Sequence, residues 1–391
     1  MNAAWSDARR ILCVRLDNMG DVLMTTPAIR ALKAGRADRH VTLLASPAGA
    51  SIARMIPDID AVVVFDAPWM KAGAASAGAD QDRALQAMLR AGGYDAAVIF
   101  TVYSQSALPA AYACYLAGIP LRLAHCRENP YALLTDWVAE SEPQARVRHE
   151  VERQLDLVAA VGAHTDDRRL ALAVTDTACR EMRRRLAGEG IDFARPWVLV
   201  HAGATAPSRR YPAGHFAEAI RLLVDAGCQV VLAGAGDEVA EVTTIQRLAG
   251  VPTCSLAGRL DLAGLGAAIL LADVVLCNNS GPAHMAAAIG TPLVDLYALT
   301  NPQHTPWMVR HALLYHDVPC RFCYRSVCPE GHHDCLRRVE PARVADAVLA
   351  LLPWGVREGV ERAPARHARP RVHEIRPGVA VDQASCAGSA S

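Results

Sequence analysis

The chain has 391 residues, 52% of them apolar, and its 40 Lys and Arg balance its 40 Asp and Glu. That length accommodates two domains, each able to bury a core, and a formal charge of zero is not the signature of a nucleic-acid-binding protein. The opening residues, MNAAWSDARR, are polar, run straight into a strand and do not read as a secretory signal. No run of ~18 apolar residues offers a membrane span. Twelve cysteines are too scattered for a disulfide scaffold, and Cys13, Cys228 and Cys277 sit inside apolar strand patterns as small buried hydrophobes. A cytoplasmic protein with no nucleic-acid partner is expected.

ILCVRL (residues 11–16) is a branched apolar run, the first strand of a parallel sheet. The loop DNMGD follows, then a helix in which Pro27 either makes a kink or marks the true first turn. Strands are expected at HVTLLAS (40–46), AVVVFD (61–66) and YDAAVIFT (94–101), with helical stretches between them. Residues 69–82 are rich in Ala and Gly and read as a flexible surface loop. Arg122, His125 and Arg127 lie near a strand end, either as a solvated loop or as a basic rim for an anionic partner. Residues 150–161 form an amphipathic helix, and a charged stretch, 175–192, leads on to Pro196.

A fresh strand, WVLVHAGA, starts at Trp197, and the alternation repeats with strands in CQVVLAGAG, at 253–256, in DVVLCN and in TPLVDLYA. Strands alternating with helices in both halves predict an α/β protein with two doubly wound parallel sheets and a cleft between them, where ligands bind. The expected division is 1–165, an interdomain segment 166–195, a second domain 196–353, and a disordered Arg- and Pro-rich tail 354–391.

Four constellations carry candidate chemistry. CNNSGPAHMAAAIGTP breaks from a strand into a helix at Pro282, with Ser280 and Gly281 in the turn and His284 in the first helical turn. Such a turn is a seat for phosphate at the positive end of a helix, or an ordinary strand-to-helix turn. HAGATAPSRRYP offers Ala204, Thr205 and Ser208 as backbone or hydroxyl donors and Arg209 and Arg210 as phosphate partners, or a plain polar loop. LAGAGDE places Glu238 where it can bind a ribose diol. In RLDNMGDV, Asp21 follows Met19 and Gly20 at a helix start, where a carboxylate accepts a proton from a hydroxyl nucleophile or merely caps the helix; Asp17 is the second candidate. Three of these loops follow strands of the second half and converge on one sheet edge, which fits a nucleotide-diphosphate site. A base in the first half facing that site is the layout of a transferase. Separately, CRFCYRSVCPEGHHDC gathers Cys320, Cys323, Cys328 and Cys335 around His332 and His333, a structural zinc site or a set of thiols or a labile disulfide.

Taken together, in their order and spacing, the motifs RLDNMGDVLMTTPAIRALK, HAGATAPSRRYP, LAGAGDE, LAGRLDLAGLGAAILLADVVLCNNSGPAHMAAAIGTP and PCRFCYRSVCPEGHHDCLRRVEP resemble the family 9 glycosyltransferases, the ADP-heptose:lipopolysaccharide heptosyltransferase group, over about residues 11–352. The resemblance implies a GT-B fold, two Rossmann-like domains facing a cleft. It implies inverting, metal-independent transfer of a heptose or related sugar from a nucleotide-sugar, ADP-heptose, to a lipopolysaccharide core acceptor, with no cofactor. Asp21 then falls at the general base of the acceptor domain. Arg209 falls on a donor-phosphate position, Glu238 on the ribose, and Asn279, Ser280, Gly281 and His284 on the donor diphosphate motif, with Thr205 and Ser208 beside them. Asp17, Met19, Gly20, Arg122 and Arg127 are the acceptor candidates. Two departures stand out: Asn279 where the family often has an acid, and Arg209 where it often has Lys. A lipid-linked acceptor places the protein at the cytoplasmic face of the inner membrane, held by Arg122, Arg127 and the basic tail. A transferase for another donor, a sugar-nucleotide epimerase and a catalytically silent donor-binding member remain the alternatives.

Overall fold

Two parallel sheets of the same strand order organise the chain, seen in a computed structural model that describes residues 3–70, 78–352 and 371–374. The first half runs α1 (Ala3–Asp7), β1 (Arg10–Arg15), α2 (Met19–Ala34), β2 (His40–Ala45), α3 (Pro47–Ala53), β3 (Ala61–Val64), α4 (Ala79–Ala91), β4 (Ala96–Ile99), α5 (Leu108–Leu116), β5 (Leu121–Cys126), β6 (Asp136–Ala139) and α6 (Glu150–Ala159). The second half runs α7 (Asp176–Gly188), β7 (Trp197–His201), α8 (Ala213–Asp225), β8 (Gln229–Ala233), α9 (Val239–Ala249), β9 (Cys254–Ser255), α10 (Leu262–Leu271), β10 (Val274–Asn278), α11 (Gly281–Ile289), β11 (Leu293–Leu296), β12 (His311–Leu314), α12 (Asp334–Arg337) and α13 (Pro341–Leu351), and β13 (Arg371–Glu374) follows.

The first sheet is ordered β13-β3-β2-β1-β4-β5-β6 and the second β9-β8-β7-β10-β11-β12; apart from the added β13 the two orders match, and each reverses direction of growth between β1 and β4 or between β7 and β10. Ligand crevices form outside the carboxyl ends of strands at such reversals. The loops after β1, β7 and β10 are the ones that carry three of the four constellations, and the fourth follows the adjacent β8. Each strand is an apolar run because helices cover both faces of the sheet: residues 11–15 of β1 and all of β7 and β10 are buried. Each apolar side chain so buried contributes roughly 1.5–3 kcal/mol. One core cluster belongs to each half, and a third spans both, joining Leu23 and Ile29 of α2 to Ala268 of α10 and Met285 of α11.

Several expectations need correction. The opening residues do not run straight into a strand, since α1 precedes β1 and buries Trp5. Pro27 does not mark a first turn: α2 begins eight residues earlier and Pro27 lies buried inside it. Proline has no N–H for the carbonyl of residue i−4. Here the hydroxyl of Thr26 supplies the donor instead, 2.7 Å from the Leu23 carbonyl. Part of the expected 69–82 loop is the first turn of α4, while residues 71–77 lie outside the described residues. The charged helix read before Pro196 is present as α7, and it packs through Met182 and Leu186 into the shared core against α10. Within the tail, most of which was expected to be disordered, β13 pairs in parallel with β3, Arg371 opposite Ala61. A sheet edge offers unpaired backbone groups to any extended segment, whatever its side chains. Residues 353–370 and 375–391 lie outside the described residues. Among the described residues no helix is long and apolar enough to cross a membrane.

Candidate active site

The N-termini of α2 and α11 meet at the junction of the halves. A Cβ added to Gly20 would lie 2.6 Å from His284 Cδ2, and one added to Gly281 would run into Met19 Sδ, with Met19 Cγ at 3.0 Å. Both glycines are therefore required by close approach. Ser280 is extended and stands at the N-cap of α11, followed by Gly281 and Pro282. Its hydroxyl does not cap the helix: it bonds to the carbonyls of Asn278 (3.2 Å) and Gly203 (3.4 Å). The positive end of α11 is left without a side-chain acceptor, which suits it to an anion. Buried Asn278 fixes the geometry behind it, accepting from the Tyr211 N–H (3.1 Å) and donating to the Ala202 carbonyl.

The loop after β7 is braced by the cysteine-rich segment. The Ser208 N–H donates to the Ser326 carbonyl (3.0 Å) and its hydroxyl to the Arg325 carbonyl (2.7 Å). Ser208 is thus spent on the fold, and the expectation that it donates to a phosphate is corrected. Thr205 is exposed, and Arg210 holds the Ala204 carbonyl (2.8 Å). The Arg209 guanidinium makes no hydrogen bond or ion pair among the described residues, and its charge bears on Asp295, His284 and His304. Glu238 ends a short 3-10 turn after β8, accepts from the Ala235 N–H (2.8 Å) and lies 3.7 Å from His201 Nε2. Its carboxylate covers Gly203, where any Cβ would collide with it. Tyr324 carries the brace across to the first half, with its N–H on the Thr300 carbonyl (2.8 Å) and its ring 5.9 Å from that of Tyr103. Among the described residues no three His, Cys, Asp or Glu side chains are arranged to hold a metal ion; Cys320 Sγ and His332 Nε2 stand 3.9 Å apart.

On the first half, Asn18 is the N-cap of α2, and Asp21, three residues on, accepts from its N–H (3.2 Å). Arg15, at the end of β1 and wholly buried, pairs with Asp17 (2.9 Å), Glu150 (2.8 Å) and Asp21 (3.4 Å). Asp17 has both oxygens engaged, one by Arg15 and one by the Gln105 amide (2.6 Å). Burial pushes Asp17 up to about 6, only partly offset by Arg15. Burial also pushes Asp21 upward, but Arg15, His304, His284 and the Asn18 N–H together outweigh it and hold the carboxyl below its usual range. Both carboxyls are therefore mainly ionised at neutral pH, Asp21 the more firmly, and what singles out Asp21 is its Oδ1, engaged only by the long contact to Arg15. Beside it, Asp17, Trp69, Met70, Gln105 and Ser106 line a small cleft.

The sequence model of glycosyltransferase family 9 (heptosyltransferase) matches residues 83–333. This chain belongs to glycosyltransferase family 9. It is 27% identical over 361 residues to lipopolysaccharide heptosyltransferase 2 of Escherichia coli K12, covering 88% of this chain and 98% of that one. The family 9 glycosyltransferase structure from Veillonella parvula superposes with a TM-score of 0.75 at 19% identity, covering 90% and 98% of the two chains. The E. coli ADP-heptose LPS heptosyltransferase II does so with a TM-score of 0.68 at 24% identity, covering 88% and 98%. The fold is GT-B, as the resemblance implied.

In this glycosyltransferase the proposed basic rim does not exist. Arg122 is buried, and its guanidinium donates to the carbonyls of Ile119, Leu133 (2.8 Å) and Ala132 (2.8 Å). His125 is buried too, and burial drives it down to about 4, so it is neutral. Arg127 alone is exposed, with its guanidinium donating to the Tyr103 and Glu142 carbonyls. Conversely, four buried polar residues around the candidate site escaped the motif reading: Arg15, Glu150, Asp295 and His304. Arg15 and Asp295 had a usable signal, a charge inside an apolar strand, which needs partners or a shifted pKa. Asp295 is fully buried on β11, neither oxygen has a hydrogen-bond partner among the described residues, and burial raises it to about 8 against the pull of Arg209. The Asn279 amide nitrogen is likewise buried without a partner.

Proposed function

We propose that this glycosyltransferase moves heptose from ADP-heptose to a lipopolysaccharide core acceptor, with inversion and without a metal ion. The observation that carries the reading is the placement of ionised Asp21 beside the uncapped end of α11, where the helix seams meet at Gly20 and Gly281. Asp21 takes the proton of the acceptor hydroxyl as its oxygen attacks the anomeric carbon. The bond from that carbon to the diphosphate oxygen breaks, and ADP leaves with the electron pair. The positive end of α11 and the free Arg209 guanidinium stabilise the charge that develops there. Glu238 holds the ribose and Asn279 meets the donor sugar. The names of the relatives support heptose, ADP and the lipopolysaccharide acceptor. The protein works at the cytoplasmic face of the inner membrane, where the Arg-rich tail is drawn to anionic lipid.

The test is calorimetry with ADP, UDP and GDP, followed by turnover with ADP-heptose and truncated lipopolysaccharide, with and without EDTA. Selective ADP binding and EDTA-resistant transfer are expected. Selective UDP or GDP binding would replace the donor, and donor hydrolysis or isomerisation without transfer would point to an epimerase.

A further inference from the structure

We propose that His304 is the second protein contact of the attacking hydroxyl, which sits between Asp21 Oδ1 and His304 Nε2. The inference rests on the transferase reading above and adds a residue from the second half to its nucleophile site.

His304 lies in the loop after β11, and its Nε2 is 3.9 Å from Asp21 Oδ1. That gap is too long for a direct hydrogen bond. The separation matches one bridging oxygen, which at about 2.8 Å from each atom would subtend an angle of roughly 90°. Nε2 is buried and has no hydrogen-bond partner among the described residues. A buried donor left unpaired destabilises the fold, so such groups are normally matched. The atom is also held in place rather than free to swing. The Glu150 N–H donates to the Gln303 carbonyl (3.0 Å), and His149 Nε2 donates to the Thr305 carbonyl (2.9 Å). The residues on either side of His304 are thereby fastened to the start of α6. The Tyr297 hydroxyl fixes the loop again at the Asn301 carbonyl (2.9 Å).

The charge around the ring favours a neutral imidazole. Burial lowers His304, Asp21 and Glu150 raise it, and Arg209 and Arg15 lower it, with His284 and His149 also facing the site. A neutral ring carrying its proton on Nε2 donates to the hydroxyl oxygen. The hydroxyl proton goes to Asp21. One lone pair is left directed at the anomeric carbon, so the two contacts orient the attack as well as activate it.

The experiment combines kinetics of His304→Ala and His304→Gln with NMR of histidine-labelled protein, parent and Asp21→Asn. The expected result is ADP affinity within about twofold of the parent, kcat for transfer down roughly 10²-fold in His304→Ala with a raised acceptor KM, and partial recovery in His304→Gln, whose amide places a donor near the Nε2 position. The ring titration of His304 should shift to lower pH in Asp21→Asn, because a neighbouring carboxylate favours the imidazolium. Transfer by His304→Ala within about threefold of the parent, or a ring titration that ignores Asp21→Asn, would overturn the proposal. Absence of transfer by the parent itself would count against the heptosyl reading, while the titration still decides whether the pair exists.

Discussion

Asp295→Asn should make the protein more stable at neutral pH, by an amount that grows with pH. Asp295 is fully buried with no hydrogen bond to either oxygen, and its carboxyl is raised from 3.8 to about 8. In the unfolded chain this acid loses its proton near pH 4; in the folded chain it keeps it until about pH 8. Between those limits the unfolded state binds fewer protons, so stability falls as pH rises. Each pH unit costs about 1.4 kcal/mol, or about 4 kcal/mol between 3.8 and pH 7. Asparagine is nearly isosteric and does not titrate. Its amide adds an unpaired donor that costs about 1–3 kcal/mol at every pH. The variant is therefore expected to be no more stable than the parent at pH 4, and to gain on it by about 1.4 kcal/mol per pH unit up to about pH 8. Urea unfolding of both proteins from pH 4 to 8 measures the difference. Parallel stability profiles would show that Asp295 is ionised in the folded state and that the reasoning from its burial is wrong.

Two further outcomes follow from the packing. Gly281→Ala places a methyl group against Met19, and overpacking of this kind costs about 1–3 kcal/mol. If that cost falls on assembly of the site, transfer drops between about fivefold and about 140-fold, about tenfold for each 1.4 kcal/mol; adding Met19→Ala should restore most of it, and a double variant as impaired as the single would contradict the steric account. Arg122→Met should cost about 3 kcal/mol in urea unfolding, from orphaned carbonyls on both sides of β5. The kcat of folded Arg122→Met and its binding to anionic vesicles should match the parent, whereas weakened vesicle binding would revive the basic rim.

The alternation of apolar strands with helices was enough to read both sheets, because a parallel sheet buried on two faces leaves continuous apolar runs such as VVLCN and WVLVH. It failed where buried polar residues interrupt the run. LRLAHC is a strand whose Arg122 and His125 look solvated in sequence and are interior in space. β6, at a sheet edge, only half-buries alternate positions and β12 buries only Leu314, so neither carries such a signature. The site divides in the same way. Asp21, Gly281 and Arg209 were legible because a turn, a helix start and a charge coincide locally. His304 was not, since nothing in NPQHTP marks it, and only the docking of its loop on α6 brings it to Asp21. Ser208 shows the reverse: a hydroxyl in the right loop whose bonds are already taken by a segment more than a hundred residues away.

The most direct test of the account is Asp21→Asn assayed for ADP binding and for heptosyl transfer side by side. Asparagine keeps the shape of the side chain at the start of α2 but cannot take a proton. The account predicts ADP affinity within about twofold of the parent and a kcat lower by about 10³-fold or more. Transfer within tenfold of the parent, or ADP affinity lost together with turnover, would contradict the assignment of Asp21 as the base.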